Sequence, residues 1–114
     1  MPDCIFCEIV NKRMKSEMIH EDEELVAFKD INPQAPVHVL VVPRKHIDSV
    51  NVVTLDDMIL MGKLVLVAKE IAEKNNIDGD GYRLVINNGV NGGQTVPHLH
   101  LHILGGRRMT WPPG

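Results

Sequence analysis

No stretch of this 114-residue chain approaches the roughly 20 consecutive apolar residues that a helical bilayer span requires. Basic runs are missing too. Twelve lysines and arginines stand against 15 aspartates and glutamates, for a formal net charge of −3. Nothing in that balance tracks a nucleic-acid backbone, so a bound nucleotide is expected to be small. The opening MPDCIFCEIV is acidic and lacks the charged-then-apolar layout of a signal peptide, which makes a cytoplasmic location the default expectation. Internal repeats, linkers and low-complexity tracts are absent, and the length with 44 % hydrophobic residues allows one domain over 1–114 with a modest core. Cysteine is scarce: Cys4 and Cys7 are the only two. In a reducing compartment their Cys-x-x-Cys spacing points to metal or redox chemistry more than to a structural disulfide.

What is present alternates between strand and helix patterns. IFCEIVNKR forms a short amphipathic helix with Ile5, Phe6 and Ile9 on one side. LVAFKDI (25–31) and HVLVVPR (38–44) are β-rich and flank the two-proline turn NPQAP, which predicts a hairpin-like pair. YRLVINNG (82–89) reads as a third main strand. Between the second and third lies a long helix over roughly 54–75, capped by Thr54 with Asp57 three residues on. Its apolar residues Leu55, Met58, Ile59, Leu64, Val65, Leu66, Val67 and Ile71 form a stripe wider than a small core needs, which hints at a subunit interface. DGDG (78–81) is turn chemistry, because the remaining acids of a calcium loop are missing. Strands with a segregated long helix make an α+β domain.

Three of the six histidines fall within five residues, in TVPHLHLHILGG (95–106). With a strand's period of two, His98, His100 and His102 share one face, and Leu99, Leu101 and Ile103 share the other. Just before them, NNGVNGGQTV carries Gly89, Gly92 and Gly93, and successive glycines let backbone N–H groups close on a phosphate. No Lys-Ser/Thr pair follows, so this is not a P-loop. The three imidazoles allow three readings: hydrogen-bonded structural residues, a zinc site that activates water, or a neutral imidazole nucleophile with proton-donating neighbours.

His98-Leu-His100-Leu-His102-Ile-Leu resembles the motif of the histidine triad (HIT) superfamily. AFKDINPQAPVHVLVVPRKHI, NGGQTVPHLHLHILGGR and the terminal WPPG are similar, in that order, to its Hint branch of nucleotide-binding proteins. The resemblance implies the HIT fold, an antiparallel sheet of about five strands with one long helix and a short N-terminal helix, assembled as a homodimer. It implies hydrolysis of purine nucleoside phosphoramidates, of the kind that join adenosine monophosphate to an amine, through a nucleotidyl-histidine intermediate. The alternative is a nucleotide-sensing or partner-binding protein with incidental catalysis.

By the same resemblance His100 is the nucleophile, His102 contacts the α-phosphate, and His98 and His38 form the imidazole network behind the nucleophile. Asn87, Gln94, Thr95 and the Gly93 backbone hold phosphate or leaving-group oxygens; relatives often carry serine where Thr95 stands. Asp30 accepts the ribose hydroxyls, and Ile5, Phe6, Ile9, Phe28 and Ile31 line the base pocket. Trp111, in the tail 105–114, reaches the partner's site and helps select the amine. The CIFC segment is similar to that of HIT proteins with a structural zinc, whose ligands correspond to Cys4, Cys7, His46 and His98. No metal is implied at phosphorus, and no acidic cluster is present to hold magnesium.

Overall fold

A computed structural model describes residues 4–114. Helix α1 spans Ile5–Val10 and is followed by strands β1 (Met18–Glu21), β2 (Leu25–Lys29) and β3 (Val37–Pro43). A 3₁₀ turn at Leu55–Asp57 leads into helix α2 (Met58–Lys74); β4 (Tyr82–Val85), the short helix α3 (Gly89–Gly92) and β5 (Leu101–Gly105) complete the chain. The strands form one antiparallel sheet in the order β1-β2-β3-β5-β4.

The centre of this sheet is buried on both faces, which is why β2 and β3 read as nearly continuous apolar runs. Leu25, Ala27, Val39 and Val41 pack with Leu99, Leu101 and Ile103 against Leu64, Val67, Ala68 and Ile71 of α2. The alternate residues Val26, Phe28, Leu40 and Val42 meet Phe6, Cys7, Ile9 and Val10 of α1. A six-residue helix holds too few hydrogen bonds to persist alone, so this second cluster keeps α1 folded. Thr54 N–H donates to Asp57 Oδ2 at 3.1 Å at the start of the long helical segment, as the capping pattern predicts.

Several local expectations shift. The β1 strand escapes the sequence pattern because EMIHED has no clear alternation of apolar and polar residues, and a bulge between Met18 and His20 interrupts its pairing. The third main strand stops at Val85, four residues short, and the glycine-rich segment after it folds into α3. The strand expected at His98 begins only at Leu101, where Val41 of β3 becomes its first partner. Gly105 closes β5 against the turn after α2, where a Cβ would meet Ile77 Cδ1 at 2.5 Å. The α2 stripe divides: Leu64, Val67 and Ile71 are core, whereas Leu55, Met58, Ile59 and Leu66 are exposed, Ile59 by 80 %.

Candidate active site

Each imidazole has one nitrogen committed to a partner whose chemistry fixes its tautomer. His100 is 5 % exposed, and its Nδ1 lies 2.7 Å from the His98 carbonyl oxygen. A carbonyl only accepts, so Nδ1 carries the proton and Nε2 keeps the lone pair. Burial is the main cause that lowers the His100 pKa and keeps the ring neutral, and the Asp30 carboxylate opposes it in part. Phe6 meets this ring edge-on at 4.9 Å between centroids, and His102 meets it at the same separation.

The ring of His38, on β3, is held from the other end. Gln34 N–H donates to His38 Nδ1 at 3.0 Å, which places the neutral ring's proton on Nε2. That Nε2–H faces His102 Nδ1 at 2.9 Å and Asp30 Oδ2 at 3.5 Å. Accepting at Nδ1 puts the His102 proton on its own Nε2. Burial, followed by the neighbouring His100 and His38 rings, pushes the His102 pKa down to about 4. His38 is lowered chiefly by burial, against the attraction of Asp30.

His98 departs from the expected row of three imidazoles. Its ring is fully buried; Nε2 donates to the Pro43 carbonyl at 2.8 Å, and Nδ1 lies 3.3 Å from Cys4 Sγ and 3.5 Å from Cys7 Sγ. It touches the nucleophile candidate through its backbone carbonyl and not through its ring, because the Pro43 carbonyl and the two thiols claim both of its ring nitrogens. His38 likewise meets His102 and not His100. The supporting network is therefore a chain from Gln34 to His38 to His102, with a separate backbone bond beneath His100.

Next to His98, the second thiol completes a cluster. His46 Nδ1 lies 3.2 Å from Cys7 Sγ, while its Nε2 donates to the Asp48 carboxylate at 2.6 Å. Both rings thus offer Nδ1 lone pairs to the two sulfurs, and the four donor atoms lie within 4.8 Å of one another. Burial and the adjacent Cys4 push the Cys7 thiol up, a cost that a cation between the four donors would reverse. Two thiols, two imidazoles and outer partners that orient both rings fit a tetrahedral zinc. Asp30, His38 and His102 form the other cluster of possible ligands among the described residues, but the Gln34 N–H on His38 Nδ1 keeps the proton on the nitrogen a metal would need. The three triad rings do not converge as one ligand set.

A cavity of about 270 Å³ opens beside His100 and His102. Ile5, Phe6, Ile9, Phe28 and Ile31 all line it, with Asp30 and Thr95 among its polar residues. One Asp30 oxygen accepts from Asn32 N–H at 2.8 Å, and the other is the one near His38. A carboxylate, a hydroxyl and two imidazoles beside an apolar slot suit a ligand with a flat ring at one end and anionic oxygens at the other.

The HIT domain model matches residues 11–109. The chain belongs to the HIT family. An uncharacterised HIT-like protein of Synechocystis is 53 % identical, with 98 % of this chain and 97 % of that protein aligned. The crystal structure of a HIT family hydrolase from Legionella pneumophila superposes with a TM-score of 0.97 at 46 % identity, covering 98 % of this chain and all (100 %) of the other. A histidine triad protein from Clostridium difficile superposes at 0.93 with 42 % identity and 96 % coverage of both chains.

Within this HIT site, the remaining expected residues are spread more widely. Asn87 and Trp111 line a larger cavity of about 740 Å³, together with Arg83, Arg107, His38 and His102, so that His102 faces both spaces. Gly93 ends α3 with φ +82° and borders neither cavity. The Gln94 amide is committed to backbone: it donates to the Asp48 and Val96 carbonyls at 2.7 and 3.0 Å and accepts from Gly89 N–H at 2.9 Å. It ties the glycine-rich turn to the loop that carries His46, and as placed it does not present itself to a phosphate. Three groups went unread in the sequence: the Gln34 N–H, the Pro43 carbonyl and the Asp48 carboxylate. Only Asp48 left a trace, two residues after His46.

Proposed function

We propose that this HIT protein is a hydrolase that cleaves the P–N bond of purine nucleoside phosphoramidates through a nucleotidyl intermediate on His100. The observation that carries the reading is the 2.7 Å bond from His100 Nδ1 to the His98 carbonyl, since it leaves Nε2 unprotonated on a ring that burial keeps neutral. Attack by Nε2 forms the P–N bond to the enzyme as the bond to the substrate amine breaks. That amine is a poor leaving group until it gains a proton. His102 is neutral with its proton on Nε2, and an arriving phosphate anion raises its pKa, so that it takes a second proton from solvent and hands the Nε2 proton to the leaving amine. The Asp30 carboxylate, which favours the charged form of His102, steadies the resulting charge. Water then attacks phosphorus and gives a proton back to His102, the bond to Nε2 breaks, and the nucleoside monophosphate leaves a neutral His100.

In this reading Asp30 accepts the ribose hydroxyls and the apolar slot takes the base. Cys4, Cys7, His46 and His98 hold a structural zinc that cross-links α1 and the loop after β3 to the segment before β5. Two chains associate through the exposed half of the α2 stripe and the free edge of β4, and the Trp111 tail of each helps select the amine in the other. Turnover of an adenosine 5′-phosphoramidate tests the assignment: His100→Ala should lose roughly 10⁴-fold in kcat while retaining nucleotide affinity. Wild-type turnover in that variant refutes the covalent route.

A further inference from the structure

We propose that the Ser16 hydroxyl reads the hydrogen-bonding edge of the nucleobase, an assignment that rests on the nucleotide reading of the same cavity. Ser16 lies in the connection between α1 and β1. Among the described residues its Oγ is the buried side-chain oxygen or nitrogen left without a hydrogen-bond partner. Folded proteins rarely tolerate this, because a hydroxyl removed from water and given no partner costs free energy that a smaller apolar residue would avoid. Ser16 also helps to line the apolar cavity, beside Ile5, Ile9, Met14 and Phe28. In this rotamer Oγ is closed off from the slot that Ser16 helps to line, and a turn of χ1 to another staggered position brings it to the ligand that supplies its partner.

The other polar residues of the cavity have different work. Asp30, Thr95, His100 and His102 are assigned to sugar and phosphate, and the Lys29 ammonium is paired with Glu17 at 2.8 Å. Lys15 is exposed, where water competes for its ammonium. That leaves Ser16 as the polar group cut off from solvent on a wall that is otherwise apolar. An apolar slot alone accepts any flat ring and favours the more hydrophobic one. The Ser16 O–H rotates about the Cβ–Oγ bond and so both donates and accepts, bonding either a ring nitrogen or an amino group of a purine. A ring of the same shape without those atoms leaves it unpaired, and such unpaired groups are what separate isosteres.

The test compares adenosine with benzimidazole riboside, which lacks the nitrogens and the amino group of the six-membered ring. Both are supplied as 5′-phosphoramidates of one reporter amine and, separately, as plain 5′-monophosphates for calorimetry. The wild type should favour adenosine by about tenfold, the factor one hydrogen bond to a buried hydroxyl commands, with the difference in KM. Ser16→Ala should abolish or reverse that preference yet melt no lower than the wild type, because it deletes an unsatisfied group. Ser16→Thr, which keeps the hydroxyl, should retain the preference. Equal preference in wild type and Ser16→Ala overturns the proposal, as does a Ser16→Ala protein that melts lower and weakens both ligands alike. If the monophosphates bind with the Ser16-dependent preference but no phosphoramidate is turned over, the hydrolase reading fails and this one stands. If neither monophosphate binds, both fail.

Discussion

Acidification from pH 7 to pH 4.5 should destabilise the fold, and His102 should carry a measurable share of the loss. Its pKa falls from an ordinary 6.5 to about 4, first because the ring is buried and then because His100 and His38 crowd it. The folded state therefore binds this proton less readily than the unfolded chain. The stability that depends on the neutral ring is complete above about pH 6.5 and is lost as the pH falls towards about 4. The difference, 6.5 minus 4, or roughly 2.5 units at 1.36 kcal/mol each, sets an upper figure of about 3 kcal/mol. Partial access of water to the ring reduces this to about 2 kcal/mol, still a large fraction of a small domain's stability. The lowered carboxylates Asp22 and Asp57 act in a separate window: both sit below their usual range, so their contributions are lost only as the pH falls under about 3.8. Urea unfolding at half-unit steps between pH 7.5 and 4.5, on the wild type and on His102→Asn, isolates the effect. Terms from the cysteine cluster are common to both proteins and cancel in the difference. The wild type should lose up to about 1.4 kcal/mol more per pH unit than the variant in the titrating range. Parallel profiles would refute the claim that His102 is held neutral by the fold.

Asp30→Asn should weaken ribonucleoside monophosphates more than their 2′,3′-dideoxy counterparts, by about 2–3 kcal/mol through lost charge-assisted bonds; calorimetry checks this, and equal weakening would make Asp30 structural. Cys4→Ser with Cys7→Ser should abolish bound zinc in elemental analysis and lower the melting temperature by several degrees, with no rescue by magnesium, because metal binding is coupled to folding. A metal-free wild type with unchanged melting in the variant counts against the site. Ile59→Glu, at an exposed position of α2, should leave monomer stability within about 0.5 kcal/mol and turn a sedimenting dimer into a monomer. A wild type that sediments as a monomer removes the interface.

The two apolar runs at 25–31 and 38–44 were legible as paired strands because their residues face packing partners on both sides, so every position carries the signal. The capped helix was legible for a similar reason: Thr54, Asp57 and the apolar spacing all act within a few residues of one another. Strand β1 was not, since it borrows its order from β2 and has little apolar patterning of its own. The histidine row was legible only in part. Leu99, Leu101 and Ile103 do share the core, as alternation predicts, and His100 and His102 stay adjacent. His98 breaks the row because the Pro43 carbonyl and the two thiols, 55 or more positions away along the chain, claim both of its ring nitrogens.

The sequence by itself determined which residues could do chemistry, where the apolar faces lay and which family pattern the chain resembles, because side-chain type and local period are one-dimensional properties. Only the tertiary structure decided how each imidazole is used. A ring nitrogen becomes a donor, a base or a metal ligand according to what stands against its other nitrogen, and those partners come from distant segments: Gln34 for His38, Pro43 for His98, Asp48 for His46. His100 is the exception, since its partner, the His98 carbonyl, lies only two residues away. Tautomer and burial arise from long-range packing, and in this protein they separate a reactive nitrogen from a structural one.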